Sequence, residues 1–471
     1  MQVEDYVVLY HDYDLLVIPL VFIFFYFLGK TLSRTIKDRE MRSYFIYGML
    51  VKMLAAIAYG FIIQFYFKGG DTNRYYVALL DLKNAVNDDP MNLFHIYGHI
   101  QLTNESPIAT YLANDKLGDN LIYMVKTSNF MVPRFGLIFS YIFGNSYTAL
   151  SMCYSFFAFW GCWKCFTVFA KLFPTVKRGL AISFLFYPTV VYWGSSIMKD
   201  SICLGALGLF IYSFYSLFFQ KRRIGLHIAL MILWGSIMFL TKPYLLLSVV
   251  PGLALWFFLH TNKSIKDRGV RMISFGILLA IIASSVLLLI QFMLSLDFLE
   301  LDKYKAENIA QYATQSQQGY LEAGGSSFSI GTMDGSMGSF LSMFPKAVNA
   351  TLFRPYLWEA KNPVILISAL ESFIVLCLFL FGLIKLGFRK FFSGIFSSPV
   401  LTFMFIYSFI LSGLVAITTN NFGSLVRYKI PAMPFFVGML IILISQIPDI
   451  KKFPFLANKI FSKKVVVKKW V

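Results

Sequence analysis

Long apolar runs recur along the whole chain, and they decide which folds are available to it. Runs of about 18 to 25 residues recur from end to end, the length that an α-helix needs to cross about 30 Å of hydrocarbon. Of the residues, 58% are apolar and 14% are charged, whereas a soluble domain has roughly 45–50% and 25%. The sequence therefore predicts an all-α membrane protein with many spans, and it excludes a soluble globular domain.

About eleven apolar runs are candidate spans, and they define a single membrane domain over residues 1–471. They cover residues 14–34, 45–67, 146–170, 179–197, 201–220, 226–241, 243–260, 272–295, 363–386, 399–418 and 430–447. Inside a bilayer every backbone polar group needs a partner within the protein, which α-helices of this length provide. The expected fold is therefore a polytopic helical bundle.

Basic residues predict the orientation of this bundle. The net charge of +18 is concentrated in the loops between the apolar runs. The basic loops are 30–42, 171–178, 221–223, 261–271 and 385–390, together with the basic tail 448–471. Because cytoplasmic loops are enriched in Lys and Arg, this alternation places the N-terminus outside and the C-terminus inside. The surplus of positive charge then reports topology, so nucleic acid is not an expected partner.

Two long segments between the spans, 68–145 and 296–362, both face outside in this topology. The first contains apolar residues at mixed helical spacing from Val77 to Tyr97, which suggests interfacial helices. The second contains a Gly/Ser-rich stretch from Gly324 to Gly338, which is typical of a long loop. Polar residues concentrate in these two segments, and any chemistry is expected there.

Charged residues at the outer ends of the spans are not explained by the orientation rule. They are Asp71, Arg74, Lys199, Asp200, Lys242, Arg354 and Arg427. Cations that converge on one place neutralise phosphate, and a carboxylate among them can take up a proton. This combination suits a lipid headgroup that carries phosphate. All of these residues except Asp71 are predicted to bind the substrate or its phosphate.

Three patches of sequence resemble the GT-C class of integral membrane glycosyltransferases and the related polysaccharide polymerases. They are Asp71 just after a span, Trp193-Gly194-Ser195-Ser196 followed by Lys199-Asp200, and Arg427-Tyr428 followed by Pro431 and Pro434. The resemblance implies that Asp71 is the catalytic carboxylate, which deprotonates an acceptor hydroxyl while a sugar leaves a polyprenyl phosphate or diphosphate. It also implies that Lys199, Arg354 and Arg427 hold that phosphate.

The resemblance further implies the partners and the location. The partners would be a polyprenyl-linked sugar donor, the bilayer, and a glycan, lipid or protein acceptor. The location would be the inner membrane of a bacterium, with the active site facing outside. An Asp-x-Asp or Glu-Asp pair is missing from segment 68–145, so no metal ligands and no cofactor are predicted, although a divalent metal is compatible with the class.

Each of these residues also has a structural interpretation. Asp71 follows two glycines, a position typical of a turn or a helix cap. Lys199 and Asp200 could instead form an ion pair at a helix start, and Arg354 and Arg427 could extend to the membrane surface. Two other functions stay open: a polymerase of lipid-linked repeat units, and a transporter or flippase of lipid-linked sugar, which would need no base.

One acidic residue, Glu371, lies inside a predicted span. An ionisable side chain there is costly unless another group compensates it. The sequence therefore predicts a partner cation for Glu371 on a neighbouring helix.

Overall fold

The computed structural model describes residues 7–113, 117, 120–262, 328, 330–331, 337–419, 421–448 and 450–461. Within these ranges the regular elements are all helices, which confirms the all-α class for the described chain. The chain forms two compact units. The first combines Met1–Cys165 with Val190–Lys242, and the second combines Phe166–Thr189 with Pro243–Val471.

The α-helices in chain order are α1 Asp14–Ser33, α2 Arg39–Phe61, α3 Asp71–Asp88, α4 Asn92–Gly98, α5 Ala109–Ala113, α6 Asn120–Met124, α7 Thr127–Phe143, α8 Tyr147–Leu172, α9 Lys177–Leu185, α10 Pro188–Trp193, α11 Lys199–Phe218, α12 Ile224–Thr241, α13 Tyr244–Asn262, α14 Met337–Phe353, α15 Pro363–Leu386, α16 Phe388–Ser397, α17 Pro399–Thr418, α18 Phe422–Tyr428, α19 Met433–Ile444 and α20 Pro454–Ile460. Helix α2 continues as a π-helical turn over Ile62–Phe67. Short 3-10 turns lie at Pro174–Val176, Leu357–Glu359 and Ile450–Lys452.

Among the described helices, seven are long and apolar enough to cross a membrane. They are α1, α2 with its π-helical turn, α11, α12, α13, α15 and α17. The pair α18 and α19, bent by 64°, would make an eighth crossing if it counts as one span. Each of these overlaps a predicted span, and α15 and α17 begin and end at the predicted residues. These are the helices of an integral membrane protein, while the count of eleven spans stays a prediction.

Three predicted spans have other outcomes. Residues 146–170 form α8, a helix of 26 residues that is not one of the seven. Residues 272–295 lie outside the described residues, as do most of segment 296–362 and the end of the basic tail. Residues 179–197 do not form one helix, because α9 ends at Leu185 and α10 begins at Pro188. Proline lacks a backbone N–H and disfavours helical geometry at the residue before it, so the helix is interrupted there.

The core of the first unit is built around α3. Its apolar residues Tyr75, Leu79, Leu82 and Val86 recur every three or four positions, which places them on one face, and all are buried. Helix α3 packs against α7. It is thus a core helix of this unit, whereas the exposed apolar side chains expected of an interfacial helix lie on α4, where Phe94 is 69% exposed.

The core of the second unit is aromatic. Phe169, Phe184, Trp256, Phe403 and Phe435 form one cluster, with ring centroids 5.2 Å apart for Phe169 and Phe184 and 5.3 Å apart for Trp256 and Phe403. Helix α13 packs against α17, and α9 packs against α19. Aromatic pairs at these distances add stability beyond the area that they bury.

Candidate functional site

Asp71 is the first residue of α3, and Gly70 sets the direction of the chain just before it. Gly70 has φ 140° and ψ −179°, a combination that is accessible essentially only to glycine. The helix begins at once, because the Asn73 N–H donates to the Gly70 carbonyl at 3.0 Å. Half-buried Asp71 therefore has a defined position at the positive end of a helix dipole.

Replacing Gly70 with alanine is expected to destabilise the first unit. A Cβ atom at this φ and ψ costs about 1–3 kcal/mol of backbone strain, although the space around Gly70 is open. Thermal unfolding of the purified protein would show a lowered midpoint for Gly70→Ala. Gly225→Ala in the first turn of α12 is the matched control, since its added methyl also meets open space but its backbone is helical. Equal midpoints for Gly70→Ala and the wild type would contradict the requirement for glycine at position 70.

A tyrosine from α6 holds the Asp71 carboxylate. The Tyr123 hydroxyl donates to Asp71 Oδ1 at 2.9 Å. Tyr123 is itself anchored, because Asn129 Nδ2 donates to its carbonyl at 2.7 Å, and the Tyr75 hydroxyl donates to Asn129 Oδ1 at 3.2 Å. Helices α3, α6 and α7 are thus joined by hydrogen bonds next to Asp71.

Arg74 lies one turn after Asp71 on the same helix. Its guanidinium carbon is 5.2 Å from the centroid of the Tyr123 ring, within the range of a cation–π interaction. Its carbonyl accepts a hydrogen bond from Asn120 Nδ2 at 3.2 Å. A positive charge and the Asp71 carboxylate therefore share contacts with the same tyrosine.

Lys199 is the first residue of α11, and two contacts bring the start of this helix to the starts of α3 and α7. The Thr72 hydroxyl donates to the Ile197 carbonyl at 3.2 Å, two residues before Lys199. Lys199 Nζ donates to Ser128 Oγ at 2.8 Å, and Ser128 lies next to Asn129 in the first turn of α7. The N-termini of α3, α7 and α11 therefore meet in one part of the first unit.

This meeting of helix N-termini makes the region electropositive. The residues before the three helices are Gly70, Lys126 and Met198, and none of them offers a side-chain oxygen to cap the first turn. Each helix also contributes a partial positive charge at its N-terminus. Backbone N–H groups at such ends, with Lys199 and Arg74 nearby, are suited to bind an anion.

Asp200 and Lys242 form a buried ion pair within the same unit. Asp200 is 0% exposed and Lys242 is 5% exposed. The pair joins the start of α11 to the end of α12, and these two helices pack against each other. This contact gives both residues a structural role. The sequence was compatible with such a role for Asp200, but with Lys199 as the partner instead of Lys242.

Arg354 and Arg427 belong to the second unit. Arg354 Nε donates to Glu359 Oε1 at 3.0 Å and to Oε2 at 3.1 Å, so its charge is compensated within that unit. Its guanidinium carbon also lies 5.0 Å from the Phe328 ring centroid. Arg427 is half-buried, with its guanidinium carbon 5.3 Å from the ring centroid of Tyr428. Phosphate binding by these two residues stays a prediction.

Glu371 has the kind of partner that the sequence predicts. The backbone N–H of Thr189 donates to Glu371 Oε2 at 3.0 Å, and the Thr189 hydroxyl donates to Oε1 at 2.7 Å. Buried Lys429 interacts electrostatically with Glu371, and its Nζ donates to Ser372 Oγ at 2.8 Å. A cation on another helical segment therefore compensates this acid inside the second unit.

Arg134 is a further cation of the first unit, and it has a structural role. It lies on α7, 4.0 Å from the ring centroid of Phe130, and it donates to the Ile100 carbonyl at 3.0 Å. Burial lowers the pKa of its guanidinium to about 10, which leaves it charged at neutral pH. It anchors the chain after α4 to α7, so it is not counted with the cations near Asp71.

Tyr123, Ser128 and Asn129 were not predicted as site residues. Neutral side chains have no distinctive pattern, and the role of these three depends on contacts with α3 and α11. The available signal was the polar patch Thr127-Ser128-Asn129 just before an apolar run, which is typical of a helix start.

Comparisons with protein-family models, with characterised proteins and with solved structures found no match to this chain. Within the described ranges, no group of three or more His, Cys, Asp or Glu side chains is arranged to hold a metal ion. The evidence for a function therefore comes from the residues of this chain. In the first unit the structure joins Asp71 to Arg74 through Tyr123, brings the helix of Lys199 beside them, and pairs Asp200 with Lys242.

Proposed function

We propose that this protein is a membrane glycosyltransferase that moves a sugar from a polyprenyl phosphate or diphosphate to an extracytoplasmic acceptor. The observation that carries the proposal is a half-buried carboxylate, Asp71, at a point where three helix N-termini and the Lys199 ammonium meet. A base beside an anion site is what such a transfer needs.

The donor lipid fits the surroundings of this site. Seven described helices are apolar and long enough to cross a bilayer, so a polyprenyl chain would remain in the hydrocarbon. The exposed phosphate of that lipid would bind the N–H groups at the starts of α3, α7 and α11 and the Lys199 ammonium. The acceptor is a hydroxyl-bearing glycan, lipid or protein.

The chemistry assigns a role to each charge. The acceptor oxygen forms a bond to the anomeric carbon of the sugar while the bond from that carbon to the phosphate oxygen breaks. Asp71 takes the proton of the acceptor hydroxyl. The electron pair of the broken bond goes to the leaving phosphate, whose growing negative charge is stabilised by Lys199 and by the helix N-termini.

Replacing Lys199 with methionine is expected to weaken binding of polyprenyl phosphate about tenfold to a hundredfold, because a charge-assisted hydrogen bond contributes about 1.5–3 kcal/mol. Binding of radiolabelled polyprenyl phosphate to purified protein in detergent measures this directly. Unlabelled inorganic phosphate as a competitor shows whether the site prefers the lipid or accepts any phosphate.

Lys164→Met is the matched control. Lys164 is also a lysine on a long helix of the first unit, and its Nζ lies 4.8 Å from the ring centroid of Trp160 and 5.0 Å from that of Tyr212. Its replacement should leave polyprenyl phosphate binding unchanged. Equal affinities for the wild type and Lys199→Met would remove Lys199 from the site.

A further inference from the structure

Lys52 is a buried cation in the middle of α2, a helix long and apolar enough to span the membrane. It is 2% exposed. An ammonium group in such a place is costly unless polar partners surround it. Lys52 is not one of the residues around Asp71, so its buried charge needs a separate explanation.

The partners of Lys52 are backbone carbonyls at the end of α10. Lys52 Nζ donates to the Val190 carbonyl at 2.7 Å and to the Gly194 carbonyl at 2.8 Å. A third carbonyl, that of Val191, lies 3.4 Å away. An ammonium has three donors and no acceptor, and a positive charge is favoured at the C-terminus of a helix. Lys52 therefore adds a charged donor at the end of α10, where the Val190 carbonyl also accepts from the Gly194 N–H at 3.2 Å and the Val191 carbonyl also accepts from the Ser195 hydroxyl.

The chain leads from these carbonyls directly to the candidate site. Only five residues, Gly194 to Met198, separate the end of α10 from Lys199. Hydrogen bonds hold this short segment at successive points. Ser201 Oγ donates to the Ser196 carbonyl at 2.7 Å, and the Thr72 hydroxyl donates to the Ile197 carbonyl at 3.2 Å. The segment is therefore a short connection with a defined position between the end of α10 and Lys199.

Gly194 allows Lys52 to lie close to the end of α10. A Cβ atom at Gly194 would lie 2.5 Å from Lys52 Nζ and 2.8 Å from the Val190 carbonyl oxygen. It would also lie 2.5 Å from the Leu204 side chain, and all three distances are shorter than real contacts, so a side chain here would displace the ammonium, the helix end or Leu204. The close approach of Lys52 and the glycine at this position are thus two parts of one arrangement.

We infer that Lys52 is a positioning residue, which holds the end of α10 so that the segment 194–198 presents Lys199 beside Ser128. The relevance of Lys52 to catalysis rests on the proposed function, which this inference deepens. Lys52 itself does not contact the substrate in this scheme. It acts through the backbone of the segment that it holds.

The test is a cross-linking measurement that does not depend on activity. Ser128→Cys and Lys199→Cys are introduced together with Cys377→Ser, since Cys377 is the exposed native thiol among the described residues. A bifunctional thiol reagent as long as the lysine side chain then joins the two positions in the folded protein. Loss of charge-assisted hydrogen bonds shifts an equilibrium about tenfold or more, so Lys52→Met should reduce the cross-linking yield by about that factor.

Two further variants make the result decisive. Lys52→Arg keeps a charged donor and should restore most of the yield, and Lys164→Met should leave the yield unchanged. If Lys52→Met does not fold, Gly194→Ala serves as the perturbing variant, and it too should lower the yield. An undiminished yield in the folded perturbing variant would overturn the inference.

A second readout separates this inference from the proposed function. Binding of polyprenyl phosphate should weaken in Lys52→Met and in Lys199→Met, and the double variant should bind no more weakly than Lys199→Met alone, because both act through one contact. Additive losses would overturn the positioning role. If the wild type binds no polyprenyl phosphate while the cross-link still depends on Lys52, the proposed function fails and the positioning role stands.

Discussion

Replacing Asp71 with asparagine is expected to reduce sugar transfer by about 10²- to 10⁴-fold, the usual effect of removing a general base. Asparagine has nearly the same shape and can still accept the hydrogen bond from Tyr123, but it cannot take the acceptor proton. Binding of polyprenyl phosphate should persist, since the donor phosphate is held by other groups. The measurement is single-turnover transfer from a labelled polyprenyl-linked sugar, with binding measured on the same preparation.

The structure offers a closely matched control on the same helix. At the other end of α3, Asp88 Oδ2 accepts a hydrogen bond from the Tyr111 hydroxyl at 2.9 Å, the same distance as between Tyr123 and Asp71. This bond to Asp88 raises the pKa of the Tyr111 phenol. Because Asp88 lies at the opposite end of α3 from the proposed phosphate site, Asp88→Asn should leave transfer unchanged. If Asp71→Asn and Asp88→Asn behave alike, Asp71 is a helix-start residue and not a base.

The second large effect concerns stability and the ion pair of Asp200 with Lys242. Removing one partner of a buried pair leaves the other charge uncompensated, which typically costs about 3–5 kcal/mol. Asp200→Asn and Lys242→Met are each expected to lower the unfolding midpoint in detergent strongly. The combination Asp200→Leu with Lys242→Met removes both charges and should recover much of that loss.

The outcome also decides between two roles for Asp200. A fold-stabilising pair predicts that the double variant regains stability and keeps polyprenyl phosphate binding, because neither residue is then needed by the ligand. A stable double variant that no longer binds polyprenyl phosphate would instead return both residues to the phosphate site. Single variants as stable as the wild type would contradict the structural role.

The membrane helices could be predicted from the sequence because hydropathy is a local property. Helices α15 and α17 coincide with their predicted spans to the residue. The prediction of one span over 179–197 was wrong as a continuous helix, although Pro188 carried the signal for a break. The predicted span also contains the end of α10, five residues before Lys199, where Lys52 contacts backbone carbonyls.

The site could be predicted only in part. Asp71 and Lys199 stood out because charges at span ends are unusual, and the structure places the starts of their helices together in the first unit. Tyr123 and Ser128 could not be predicted, since neutral residues reveal their role only through tertiary contacts. Lys52 was predictable in principle, because an ionisable residue inside a span calls for an explanation, but its partners are backbone atoms that leave no trace in the sequence.

Chemical transfer in the absence of a membrane tests the central proposal most directly. Purified protein in detergent is mixed with a polyprenyl-linked sugar labelled in both the lipid and the sugar, and a detergent-solubilised extract, which contains no intact bilayer, supplies the acceptor. The account predicts free polyprenyl phosphate or diphosphate and labelled sugar on a new carrier, with both products dependent on Asp71. A donor that stays chemically intact in detergent, while the same protein moves it between the leaflets of a vesicle, would contradict the account and identify a transporter.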